Sequence, residues 1–184
     1  HAVLPLLVAR GRGLVVEVTD GDDMFNARYR GSMFFDMIKV AITRLGKVLS
    51  EELGPHGVTS VSLTPGFLRS EAVLEHFGVA EENWRDGIAK DRWFAISETP
   101  RYIGRAVVAL ASDPDVARWA GKALSSGVLA KHYGFTDVDG SQPEASRFFA
   151  DAVFGGDKDA NVEDYRRHDD GQDTATPSKP PPRA

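Results

Sequence analysis

The chain has 184 residues, 42% of them hydrophobic, with 22 basic against 27 acidic side chains, a formal net charge of −5 and no cysteine. That length holds one ordinary domain with a sizeable core. The missing cysteine excludes a disulfide scaffold, a thiolate zinc site, an iron–sulfur cluster and a cysteine nucleophile.

No Lys/Arg stripe offsets the acidic balance, which argues against nucleic acid as the main partner. The longest apolar runs, such as Val3 to Ala9, fall far short of the roughly 20 residues of a bilayer-spanning helix. With no charged start leading into an apolar export segment, the chain reads as soluble and cytoplasmic.

In chain order, His1 to Arg10 reads as the last turns of an apolar helix, broken by Gly11-Arg12-Gly13. The β-branched run Leu14 to Val18 predicts a buried strand, and Thr19 to Gly31 a polar loop. Ser32 is a candidate N-cap. From there Phe34, Met37, Ile38, Ala41, Leu45, Val48, Leu49 and Leu53 recur at helical spacing, predicting a long helix. Gly54-Pro55-His56-Gly57 ends it.

Val58 to Leu63 is a second strand, closed by Thr64-Pro65-Gly66. Strand, helix and strand in that order form a βαβ unit with parallel pairing. Phe67 to Glu98 holds short helical pieces and the rings of Phe77, Trp84, Trp93 and Phe94. These either pack the segment onto the core or, as loops after a strand end do in α/β folds, face a substrate. Thr99-Pro100 opens another helix, stopped by Asp113-Pro114, and Lys122 to Leu129 holds a last short strand. From Asp157 onward seven acidic and five basic residues run into a Pro-rich end, which predicts a disordered tail over 157–184.

Taken together, residues 1–156 resemble the C-terminal part of a short-chain dehydrogenase/reductase. The expected fold class is α/β, a partial Rossmann-like doubly wound parallel sheet. Three stretches carry the likeness. Gly11 to Thr19 is similar to the strand that delivers the family's active-site serine. The helix from Ser32 to Leu53 is similar to the one bearing the catalytic lysine, with Lys39 at that position. Thr64-Pro65-Gly66-Phe67-Leu68-Arg69-Ser70 resembles the Pro-Gly turn against the nicotinamide.

The resemblance implies hydride transfer between NAD or NADP and a small-molecule carbonyl or alcohol. Lys39, Pro65, Gly66 and Ser70 would line the cofactor side, and Phe77, Trp84 and Trp93 would close a substrate pocket. It also implies a homo-oligomer built on the long helix. The runner-up is a non-catalytic oligomerisation or interaction module derived from the same fold.

Two departures stand out. Family members place a tyrosine one helical turn before the lysine, where the ammonium lowers the phenol pKa for proton exchange with substrate oxygen. Here that position holds Phe35, which has no proton to give. Tyr29 lies ten residues before Lys39, outside the helix. The serine position falls on Asp20, with Thr19 beside it as the remaining hydroxyl.

In addition, no glycine-rich turn joins a strand to a helix to cradle a pyrophosphate, so cofactor binding by this chain alone is expected to be weak or absent. The resemblance places the residues that supply that turn before His1, and the chain reads as the later part of a longer protein. There is no Gly-x-Ser-x-Gly elbow and no phosphate loop. No metal site is assigned. Asp137-Val138-Asp139-Gly140 lacks the acidic start of a calcium loop, and Glu163, Asp164, His168, Asp169 and Asp170 read as solvated charge.

Overall fold

The computed structural model describes residues 3–168. Its first helix, α1 (Leu4–Arg10), ends on Gly11, and strand β1 (Gly13–Val18) follows at once. A one-turn helix, α2 (Asp23–Asn26), is capped by the Asp22 carboxylate, which accepts from the backbone N–H groups of Met24 and Phe25. The long helix α3 (Met33–Leu53) starts on Ser32, as the periodicity requires, and leads through Gly54–His56 into β2 (Val58–Thr64).

After β2 the chain forms α4 (Glu71–Phe77), two 3-10 segments at Glu81–Ala89 and Arg92–Ile96, and α5 (Pro100–Ser112). Strand β3 (Ala123–Ser125) is only three residues long. The remainder of the predicted last strand is instead helix α6 (Ser126–Tyr133), nucleated by the Ser125 hydroxyl accepting from the Val128 N–H. Helix α7 (Ala145–Phe148) then runs on into a π-helical turn at Phe149–Phe154.

The sheet has the order β1-β2-β3 and both pairings are parallel, from Gly13↔Val58 to Val18↔Leu63 and from Ser62↔Ala123 to Thr64↔Ser125. The partial parallel α/β fold is therefore present. Every residue of β2 is buried, as a central parallel strand should be. Its alternating faces differ in chemistry. Val61 and Leu63 join Ala106 and Leu110 of α5 and Leu129 of α6 in the main core, while Ser60 and Ser62 face α3.

That serine face lets α3 come close. A Cβ at Gly46 would fall inside contact distance of the Ser62 hydroxyl, and Ser62 donates to the Thr43 carbonyl at 3.4 Å. The seam against the sheet thus runs through Thr43 and Gly46. Of the apolar stripe of α3 only Leu53 is buried, whereas Phe34 is 73%, Met37 66%, Ile38 56% and Leu45 44% exposed.

The predicted tail is corrected in its first part. Residues 157–168 lie against the body, with a short 3-10 turn at Val162–Tyr165. The Arg166 guanidinium donates to the carbonyls of Ala95 and Ser97 at 3.1 and 2.7 Å and to Asp139 at 3.0 Å. Residues 1–2 and 169–184, including Asp169 and Asp170, lie outside the described residues. Among the described residues no helix is long and apolar enough to cross a membrane.

Candidate functional site

Strand β2 ends in Pro65-Gly66, and the chain turns there beneath a cavity of about 400 Å³. Pro65, Gly66 and Ser70 all line it, three of the four residues expected on the cofactor side. Its apolar lining includes Phe25 and Phe149, whose rings meet edge to face with centroids 5.8 Å apart, together with Phe67 and Val73. Two charged residues complete it, Asp20 and Arg30.

The turn is held from behind by a residue that sequence reasoning missed. Glu98, fully buried, accepts from the Gly66 N–H at 3.0 Å and from the Ser126 hydroxyl at 2.7 Å through Oε2. Its backbone also pairs with the turn, since Glu98 N–H donates to Phe67 O and Arg69 N–H to Glu98 O. A Cβ at Gly66 would strike both this carboxyl and Ala145, which is why the turn needs glycine.

Burial pushes the Glu98 carboxyl up to about 8, against the partial opposition of its two hydrogen bonds. Glu98 is therefore mostly protonated at neutral pH. Its other oxygen, Oε1, has no hydrogen-bond partner. A single acidic residue just before a helix cap carries no sequence signal of burial, and only the fold reveals it.

The remaining site residues are distributed as follows. Thr19 does not reach the cavity. Its hydroxyl is buried without a partner, and its N–H donates to Leu63 O at 2.9 Å. Asp20, beside it, is on the cavity rim instead. Phe35 and Lys39 lie one turn apart on α3, with the Lys39 ammonium 5.2 Å from the centre of the Phe35 ring, and neither is part of the cavity lining. Tyr29 is 73% exposed and also stands apart from it.

The Arg30 guanidinium also stands near the Phe35 ring, 5.0 Å from its centre. Phe77, Trp84 and Trp93, expected around a substrate pocket, do not line this cavity. Phe77 stacks on Phe94 at 4.1 Å in a core cluster that also holds Trp84. Trp93 packs edge-on against Phe148, and Arg92 covers its ring. Apolar rings in short helical pieces had two destinations open to them, and burial against one another removes more surface from water than a cavity rim would. Among the described residues no group of three or more His, Asp or Glu could hold a metal ion.

No family model matches the chain. It is 36% identical over 137 residues to human dehydrogenase/reductase SDR family member 1, a match covering 73% of this chain and 42% of that protein. Over that stretch the chain is related to the short-chain dehydrogenases/reductases.

The mouse protein of the same name is 39% identical over 140 residues, with the same shares covered. A solved short chain dehydrogenase/reductase family protein matches at 28% identity and a TM-score of 0.50, over 67% of this chain and 48% of that one. An oxidoreductase of the family from Burkholderia thailandensis, 24% identical with a TM-score of 0.52 over 70% and 49% of the two chains, supports the fold. The chain spans under half the length of the curated short-chain dehydrogenase/reductase relatives it matches.

Proposed function

We propose that this chain supplies the nicotinamide-side turn and the substrate cavity of an NAD(P)-dependent oxidoreductase of the short-chain dehydrogenase/reductase type, acting on a small-molecule carbonyl or alcohol. The observation that carries this reading is the one cavity that Pro65, Gly66 and Ser70 line together with the apolar rings of Phe25, Phe67 and Phe149. These residues fit the nicotinamide end of a dinucleotide. Gly66 presents backbone held by Glu98, and Ser70 adds a hydroxyl already engaged as the α4 cap, 3.3 Å from the Val73 N–H.

Pro65, Gly66 and Ser70 would hold a nicotinamide there, which when bound and reduced would supply the hydride for a carbonyl carbon. The chain's own residues orient it and exclude water through Phe25, Phe67 and Phe149. What the chain lacks at α3 is a proton donor, because Lys39 faces a phenyl ring where the family has a phenol. The chain as it stands is therefore expected to be slow or inactive. The segment after β1 holds a single glycine, Gly21, before α2 begins, so the pyrophosphate finds no glycine-rich cradle there. Titrating the chain with NADPH should give no saturable micromolar binding.

The test of function is Phe35→Tyr, made in this chain joined to the N-terminal portion of a relative, following NADPH oxidation with a panel of ketones. Activity appearing only with Phe35→Tyr supports the reading. Activity already present with Phe35 shows that another group donates the proton, and no activity in either overturns the proposal.

A second reading has its own observation. The exposed Phe34, Met37, Ile38 and Leu45 make α3 an unpartnered apolar face, which favours self-association as a homo-oligomer with or without redox chemistry.

A further inference from the structure

Arg30 is built into the cavity. Its backbone N–H donates to the Asp36 carboxylate at 3.2 Å, in the first turn of α3. Its guanidinium sits near two rings, 5.5 Å from the centre of Phe25 and 5.0 Å from that of Phe35. The side chain is only 16% exposed. These contacts fix where the charge stands before any ligand arrives.

The guanidinium carries five N–H donors, and its hydrogen bonds engage two of its nitrogens. Nη1 donates to the Asp20 carbonyl at 2.7 Å and Nη2 to the Asp20 carboxylate at 2.9 Å. The Asp20 side chain is 48% exposed, and a half-exposed partner holds a cation weakly because water competes for both ions. Of the cavity's three hydroxyls, Thr64, Ser70 and Ser146, two are already committed. The Thr64 hydroxyl donates to Pro65 O and accepts from the Gly21 N–H, and Ser70 caps α4.

One enclosed guanidinium with a displaceable carboxylate, facing a wall of phenylalanines, is the arrangement that receives an anion on an apolar body. We propose that this cavity binds monocarboxylates with an apolar tail, the ligand carboxylate replacing that of Asp20 on Arg30. The inference names a substrate class for the site proposed above and rests on reading this cavity as the substrate site. A carboxylate is favoured over a hydroxyl or amide because its two oxygens match the guanidinium fork and its charge strengthens each hydrogen bond.

The test uses the chain as it stands, without cofactor, titrated calorimetrically with 4-phenylbutyrate and with the neutral 4-phenylbutanamide. The carboxylate should bind at least about tenfold tighter, the scale of a charge-assisted pair over a neutral one. Arg30→Met should abolish that preference while amide binding persists.

Asp20→Asn should do the opposite, raising carboxylate affinity several-fold by removing the competing anion, and a purely structural Asp20–Arg30 pair would not produce that gain. Should Arg30→Met fail to fold by circular dichroism, the Asp20→Asn result decides. Equal binding of the two compounds, no saturable binding of either, or an Asp20→Asn variant with unchanged or lower carboxylate affinity overturns the inference. None of these results bears on the oxidoreductase reading, which the Phe35→Tyr experiment tests separately.

Discussion

Glu98 and Phe35 are the two side chains whose surroundings yield predictions at the scale of single residues. Glu98 ties the Pro65-Gly66 turn to the start of α6, and burial holds its carboxyl up to about 8. An acid whose folded pKa lies above its unfolded value of 4.5 favours the folded state in its protonated form. Its contribution is complete below that value and is lost as pH rises through about 8. Urea denaturation at pH 5 and pH 8 should therefore show a loss of stability on the alkaline side that Glu98→Gln reduces, because the amide keeps an acceptor for Gly66 without ever ionising. Equal pH dependence in the two proteins would show that Glu98 is not the group responsible. For Phe35 the environment is already that of an active phenol, with Lys39 and Arg30 within about 5 Å of the ring centre. The phenol introduced by Phe35→Tyr should thus titrate below the ordinary tyrosine value of about 10, read as a difference spectrum against the unaltered chain. A titration at or above 10 would mean that the two cations do not act on that position.

At the scale of elements, the fold depends on how closely α3 approaches β2. Small residues on both sides allow it, Gly46 on the helix and Ser60 and Ser62 on the strand. Gly46→Val should cost about 1–3 kcal/mol in urea denaturation, the range for forcing extra methyl groups into a filled contact. A neutral result would mean that α3 can lift from the sheet freely. The same closeness explains the exposed stripe. A helix seated on a narrow serine seam turns its larger side chains elsewhere, so Phe34, Met37 and Ile38 remain in water although their spacing is that of a core face.

For the whole molecule, the sheet is three strands wide, with β1 and β3 at its edges, and β1 is only half-buried along most of its length. A parallel sheet is ordinarily covered on both faces. The apolar α3 face and the open β1 edge both leave surface that another chain, or another copy, can cover. Analytical ultracentrifugation should find the chain self-associated at tens of micromolar, and Met37→Glu, which puts a charge in the middle of the α3 stripe, should shift it to monomer. A chain that is monomeric at every concentration tested would leave α3 without a role in self-association.

The sequence by itself determined the strand–helix–strand order of β1, α3 and β2, their parallel pairing and the Pro-Gly turn. Each of these is written locally: β-branched runs, a capped 3.6-residue periodicity, and Gly and Pro at strand and helix ends. Tertiary structure decided which apolar residues are buried, because periodicity marks a face without saying what covers it. It placed Phe77 and Trp84 in a core and left Phe34 in solvent. It also brought Arg30 to the cavity and Glu98 under the turn, from positions 10 and 32 residues distant from Asp20 and Gly66. It returned Arg166 from the predicted tail to the carbonyl of Ser97, 69 residues earlier. Such pairings depend on where separate segments meet in space, and desolvation on burial, which sets the charge state of Glu98, exists only once they have met.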